Sequence, residues 1–557
     1  MGAMSPVRAA GLAALILSAC SGGGGDNVGP APSGGSSGGG TPPTTTSQPP
    51  SKEAVPTSFR EQAAVRGMTH NYRYSGDINP MVRQFAGGAA SGDVDGDGDP
   101  DVVMVGGGDF PLRLYINNRT SFTDEASTRG LVTGSERHSG PVLGDLDGDG
   151  DLDLFLGGLQ GDSSRVFLND GSGRFSDATA GSGLDRMTSL HTVSAAFGDY
   201  DLDGDLDIAM AHWGTERQAS NPGETETLWR NDSSGGTLRF VPVSGVAGIS
   251  AGLELSASTG VMGVDIDYSF APSLVDINGD RYPDLLLVAD FDTSQVFTNN
   301  GDGTFTHATS DSTINDSNGM GSAHGDFDSD GDDDWFVSSI DGNRLYENVG
   351  GRFENRQGTV DVSDGGWGWG SCFADFNLDG HLDIYQTNGW FAENPAASEY
   401  SSDTTRLWMN NGEGRFTDMA AVSGVADDRQ GRSVVCDDFD RDGDVDVLQL
   451  TFDPQRQQFL WINDLQNGNA ISVKLAGVAP NTAGIGARIE VETDGRSQFR
   501  RVGINSSFTA VSSAEAIFGL GDADEATRIS VTWPDGNVSM RVNVQAGSAL
   551  TITHPDA

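Results

Sequence analysis

Downstream of residue 86 the apolar residues come in short runs, and one such run recurs seven times: VVMV at 102–105, LFLG at 154–157, IAMA at 208–211, LLLV at 285–288, WFVS at 335–338, IYQT at 384–387 and VLQL at 447–450. Each is too short for a helix, is rich in β-branched and large apolar residues, and is bounded by Asp and Gly, which predicts a strand. A second pattern follows each run: LYIN at 114–117, VFLN at 166–169, LWRN at 228–231, VFTN at 296–299, LYEN at 345–348, LWMN at 407–410 and LWIN at 460–463. A third opens on Phe and alternates, at Phe59, Phe122, Phe175, Phe240, Phe305, Phe353 and Phe416. With the strand that precedes each acidic stretch, the unit has four short antiparallel strands. Repeated seven times, it predicts an all-β fold, a seven-bladed β-propeller. No Phe strand follows 460–463, while Phe59 stands alone ahead of the first unit. The N-terminal strand is therefore expected to complete the last blade, which removes an exposed sheet edge.

The connection from first to second strand is an acidic nine-residue loop, from DVDGDGDPD at 93–101 to DFDRDGDVD at 438–446. Its odd positions hold Asp93, Asp95, Asp97, Asp99 and Asp101 in the first copy, and Asp145, Asp147, Asp149, Asp151 and Asp153 in the second. The third has Asp199, Asp201, Asp203, Asp205 and Asp207; the fourth has Asp276, Asn278, Asp280, Tyr282 and Asp284. The fifth has Asp326, Asp328, Asp330, Asp332 and Asp334, and the sixth Asp375, Asn377, Asp379, His381 and Asp383. The seventh has Asp438, Asp440, Asp442, Asp444 and Asp446. Calcium takes six to eight hard oxygen ligands, and alternate carboxylates curling round a turn supply them, with Gly at position 6 bringing the position-7 carbonyl inward. The pattern predicts calcium as cofactor, up to seven ions, with the fourth loop set apart by Arg281 in place of that Gly. No Glu at position 12 and no following helix pattern occur, so these are not EF-hands.

Composition fits a folded, turn-rich protein: of 557 residues 78 are Gly, and the net charge is -47. Such a charge turns the chain away from nucleic acid and toward cations. The three cysteines, Cys20, Cys372 and Cys436, are too few for a disulfide framework. Cys372 and Cys436 stand three and two positions before their loops, so alternation points them to opposite faces and free buried thiols are expected. Cys20 ends a different pattern. Arg8, an apolar stretch from Ala9 to Leu17 and then Leu17-Ser18-Ala19-Cys20 read as a signal segment with a lipobox, Cys20 being the lipidated residue. Residues 1–20 are thus expected to target the chain, and 21–57, mostly Gly, Ser, Pro and Thr, to tether residues 58–465, the propeller. Residues 466–557 form a second β unit, with AISVKLAG, ARIEVET, RISVTWPDG and ALTITH as its strands.

These repeats resemble the FG-GAP/VCBS repeats of the integrin α-subunit propeller. The strings NTAGIGARIEV, AIFGLG and VTWPDG resemble the ASPIC/UnbV domain, a small β-sandwich-like unit. Together they are similar to the cartilage acidic protein-like family, which has bacterial members. The resemblance implies the fold more than the role.

The function expected is that of an exported, lipid-anchored, monomeric binding or adhesion protein for a protein or carbohydrate ligand. The alternative is a polysaccharide-degrading lyase or hydrolase, since propellers host both. No HExxH, GxSxG or phosphate loop occurs. His138, His191 and His324 precede acidic loops and are read as structural. Trp213, Trp367, Trp369 and Trp390 fall between strand patterns, either as stacking platforms for a ligand or as packing aromatics. All four map to the face opposite the calcium loops, where the connections 213–227, 245–272 and 389–405 are long. That face is the expected recognition surface.

Overall fold

A computed structural model describes residues 57–69, 82, 86–106, 112–215, 226–257, 266–309, 314–340, 342–390, 400–451, 458–465 and 468–557. Cys20 and the tether lie outside the described residues, as do parts of the three long connections. Thr57, expected at the end of the tether, is already buried, and its hydroxyl donates to Ser423 Oγ at 3.2 Å.

Each sequence unit folds as predicted into four antiparallel strands. In the first they are Gly88–Gly92, Asp101–Val105, Arg113–Asn117 and Phe122–Asp124, running from the axis outward. Seven such sheets occur among the described residues. In the seventh, Gly431–Asp437, Asp446–Thr451 and Phe459–Asn463 are completed by Phe59–Glu61, with Phe59 opposite Asn463 and Glu61 opposite Trp461. This is the N-terminal closure expected from the phase of the repeat. The long 245–272 link contains a helix, Ile249–Ala257.

Apolar residues on both faces of each blade fill the space between neighbours. Val103 and Leu114 of the first blade meet Leu143, Leu154 and Phe167 of the second. The ring closes where Val435, Leu448 and Leu460 of the seventh meet Ala89, Val102 and Tyr115 of the first. Removing these side chains from water is the main force joining blades.

The last Asn of the LYIN-type motif adds a polar tie. Asn169 Nδ2 donates to Val94 O of the preceding blade at 2.8 Å, and Asn231 to Leu146 O at 2.9 Å. The same bond runs from Asn299 to Tyr200, Asn348 to Ile277, Asn410 to Phe327 and Asn463 to Phe376. Asn117 to Phe439 O, 2.8 Å, closes the circle.

Residues 470–553 form two sheets packed face to face. One is Ala516–Gly519, Ala470–Ala476 and Ser548–Thr553; the other is Arg496–Arg501, Arg488–Thr493, Glu525–Thr532 and Val538–Gln545. Their core, with Ile471, Val491, Phe518 and Val531, is continuous with that between the second and third blades. From this domain residues 503–513 descend along the propeller axis. Ala510–Val511 adds in parallel to the inner strand of the first blade, Phe197 N donates to Ile504 O at 2.9 Å, and Ser322 N donates to Ser507 O at 3.1 Å. The finger thereby takes up backbone groups that inner strands would otherwise turn to an open channel.

Cys372 and Cys436 form a disulfide, Cα to Cα 6.6 Å, which corrects the expectation of free thiols. Their registers confirm the opposite orientations: Cys372 pairs with Tyr385 and Cys436 with Val447, one step apart in the repeat. Yet the two strands belong to neighbouring blades, whose sheets face each other. Opposite faces are then the ones that meet.

Candidate metal centres

Each acidic loop is folded by its own carboxylates. The position-6 N–H donates to the far oxygen of the position-1 Asp in all seven copies, from Gly98 to Asp93 (3.1 Å) through Gly443 to Asp438 (3.0 Å). The position-7 N–H donates likewise to the position-5 Asp, from Asp99 to Asp97 (2.9 Å) through Asp444 to Asp442 (3.3 Å). Position 6 needs a left-handed backbone. Gly98 has φ 92°, and Arg281 adopts φ 81°, so the fourth loop keeps the turn without glycine.

The position-9 Asp is a hub. Asp101 accepts from Val94 N (3.0 Å) through one oxygen and from Asn117 N (2.8 Å) through the other. Asp153, Asp207, Asp284, Asp334, Asp383 and Asp446 do the same in their blades. Burial pushes Asp101 and Asp153 up to about 8 and Asp334 up to about 9. Position 1 is pushed the same way, burial raising Asp199, Asp326 and Asp438 to about 7. Arg500 beside Asp326 and Arg441 beside Asp438 offset only part of this, so the carboxyls remain short of counter-charge.

Position 3 shows where that charge belongs. Asp95, Asp147, Asp201 and Asp440 each hold a buried Oδ1 with no hydrogen-bond partner. In the first, second and fifth loops the carboxylates of positions 1, 3 and 9 place ligand atoms within 4.8 Å of one another; in the third, positions 1, 3 and 5 do so. An unpartnered inward oxygen in an all-oxygen cage fits a hard divalent cation. Of the position-7 side chains, three turn to other partners. Asp99 accepts from Arg119 Nε (2.7 Å), Asp444 accepts from Leu465 N (3.1 Å), and His381 Nε2 meets Arg496 (3.1 Å).

The C-terminal domain lies on these loops and touches every one. Lys474 Nζ is 3.4 Å from Asp93 Oδ2, and the Thr482 hydroxyl donates to Asp145 Oδ2. Pro480 is seated so close to Gly148 and Gly204 that an added Cβ would come within 2.7 and 2.9 Å of it. Arg281 Nη1 donates to Pro534 O (3.2 Å), Arg488 Nη1 to Gly331 O (2.7 Å) and Gly519 N to Asp375 Oδ2 (3.1 Å). Arg441, in the seventh loop, pairs with Glu515 at 2.7 Å. The sequence pattern marked Arg281 by the missing Gly, but nothing in the spacing of Lys474 or Arg488 tied them to the loops, so they were not singled out as partners.

At the opposite end of the axis Trp213, Trp367, Trp369 and Trp390 are all buried, none more than 5% exposed. They form one cluster with Phe270, Tyr400 and the finger's Phe508. Trp367 stacks on Trp390 at 4.3 Å, and Trp369 lies under Arg432 at 4.2 Å. The packing reading therefore holds, and their assignment as exposed ligand platforms is corrected. They flank or begin inner and second strands whose ends turn toward the axis. His138, His191 and His324 are held neutral, burial pushing the first two down to about 4 and the third to about 3.

Residues 93–156, 145–210, 276–337, 326–385 and 396–448 match the FG-GAP-like repeat, and 477–557 match ASPIC and UnbV. Cartilage acidic protein 1 of Mus musculus is 24% identical over 516 residues, covering 86% of this chain and 75% of its own length. The Homo sapiens protein is 27% identical over 349 residues, 58% of this chain, and the match spans about half of that relative (48%). Among solved structures, the BP39L lectin from Burkholderia pseudomallei overlays with a TM-score of 0.43 at 12% identity, covering 69% of this chain and 97% of the lectin. The chain belongs to the FG-GAP-like repeat family, its repeats followed by an ASPIC and UnbV domain.

Proposed function

We propose that the protein is a calcium-stabilised binding protein, anchored outside the cytoplasm through a lipid on Cys20, that recognises a protein or carbohydrate and does no chemistry on it. The observation that carries this reading is the position of the C-terminal domain. It touches every acidic loop and sends a finger down the axis, so the chain itself covers the metal-loop face. The opposite face, where the long connections run, is left for a partner, and variable loops on a rigid scaffold are where recognition usually resides. The buried tryptophans form a packed floor at the strand ends on that side. Calcium, held by positions 1, 3, 5 and 9 with a position-7 carbonyl, neutralises the acids and fixes the turns. The Cys372–Cys436 disulfide favours an oxidising compartment, in keeping with an exported chain. No helix among the described residues is long and apolar enough to cross a membrane, so the lipid carries the anchoring in this reading.

The test is binding of the full chain to panels of glycans and of cell-surface proteins, in millimolar calcium and in EDTA. Saturable binding that is lost in EDTA, and weakened by Leu190→Glu on the exposed opposite face, is expected. Products released from a polysaccharide panel, or binding weakened only by changes in the C-terminal domain, would contradict it.

A further inference from the structure

The seven loops are not equivalent. Loops one, two, three, five and seven carry Asp at all five odd positions, whereas the fourth has only Asp276, Asp280 and Asp284, with Asn278 and Tyr282 between them, and the sixth only Asp375, Asp379 and Asp383, with Asn377 and His381. Among the described residues the first, second, third, sixth and seventh loops each keep a buried carboxylate oxygen without a partner, and the fourth keeps none. The fifth keeps none either, but there Asp326, Asp328 and Asp334 bring ligand atoms within 4.8 Å of one another. The position-1 carboxylate of the fourth loop accepts the same loop N–H groups as Asp145 does in the second loop. Asp276 Oδ1 accepts from Gly279 N (2.8 Å) and Asp280 N (3.1 Å), and Oδ2 accepts from Arg281 N (3.1 Å).

A cation from the other domain completes the ring of contacts. Arg501 Nη1 lies 3.7 Å from Asp276 Oδ2, its Nη2 donates to Asp276 O at 3.2 Å, and its Nε donates to Asp333 Oδ2 at 2.6 Å. The side chain is 15% exposed, between acids 7% and 3% exposed, so water screens it little. Lys474 at the first loop differs in kind: at 58% exposed it can swing away when an ion arrives. Arg501 is pinned at three points and cannot.

We propose that the fourth loop is closed by the Arg501 guanidinium in place of a metal ion, giving the C-terminal domain one attachment to the ring that does not depend on metal. This rests on the calcium reading of the other loops. A divalent ion in the fourth loop would sit beside a fixed positive charge and would have one carboxylate fewer at position 3 to hold it. Asn377 gives the sixth loop the same lack, so the fixed guanidinium of Arg501 is what separates the fourth loop from it, while Arg281 keeps the turn and reaches Pro534 of the docked domain. Six ions per chain follow, not seven.

Calcium bound per chain at saturation, counted by equilibrium dialysis on the full protein, tests this. Wild type is expected to take six ions, Arg501→Gln one more, and Arg501→Lys the same number as wild type. Melting curves in EDTA check that the variants fold. Seven ions on wild type would overturn the inference while leaving the calcium reading intact. An unchanged count in folded Arg501→Gln would overturn it too. No bound ion on wild type would overturn the calcium reading, and this inference with it. Should Arg501→Gln not fold, the wild-type and Arg501→Lys counts decide alone, seven on either being contrary.

Discussion

Single residues in this protein serve more than the chemistry their type suggests. The position-9 Asp reads in sequence as a calcium ligand, yet both its oxygens also accept backbone N–H groups, from Val94 and Asn117 in the first blade. An acid at a fixed spacing looks the same whether it holds an ion or a turn, so sequence showed the position and not this second role. The Asn of the LYIN-type motif was equally visible and equally mute, because its partner carbonyl belongs to the preceding blade. Asn231 is fully buried and donates to Leu146 O and Leu206 O. Asn231→Ala leaves both carbonyls without a donor and should destabilise by roughly 3 kcal/mol in denaturant melts. A change within about 0.5 kcal/mol would show that the ring of amides is incidental. His191 gives a pH signature. Its Nδ1 accepts from Gln160 N at 3.1 Å, and burial pushes it down to about 4. Its folded pKa lies below the unfolded value, so its contribution is present above about pH 6.5 and is lost as pH falls toward 4. The melting temperature of wild type should therefore exceed that of His191→Gln most above pH 6.5, the gap narrowing by pH 4 at fixed calcium. A gap that widens with acid would reverse the sign.

At the scale of strands and blades, the sequence was most legible. Seven acidic loops, seven Asn-terminated strands and seven Phe strands fixed strand identity, and a lone Phe59 fixed the phase. The structure pairs Phe59–Glu61 with Phe459–Asn463 accordingly. Deleting 57–63 removes the outer strand of the closing blade and should lower the melting temperature of the whole propeller in a single transition, whereas deleting 21–50 should leave it unchanged. Equal melting of the two truncations would mean that the closure is dispensable. The cysteines mark the limit of such reasoning. Alternation gave their directions correctly, but which strands stand face to face is a property of the ring, and that reversed the conclusion. The tryptophans failed for a similar reason: residues between strand patterns looked like loop residues, while the convergence of strand ends on the axis buries them.

For the whole molecule, what sequence could not show was the relation between its two parts. The arrangement is an acidic ring met by a basic patch of the C-terminal domain: Lys474, Arg488, Arg496 and Arg501 all face acidic loops. These basic residues have no motif spacing, and the finger at 503–513 has no pattern that predicts insertion along an axis. In the proposed reading, metal and C-terminal domain share the task of neutralising the same acids, and calcium would take the position-3 oxygens that have no partner. Extracellular calcium modules commonly bind with Kd around 10⁻⁴–10⁻³ M, so millimolar calcium should raise stability by mass action. The direct measurement is the thermal melt of the full chain in EDTA and after millimolar calcium is restored. The account predicts a lower melting temperature in EDTA that calcium, and not an equal ionic strength of sodium chloride, brings back; identical curves in the two conditions would contradict it.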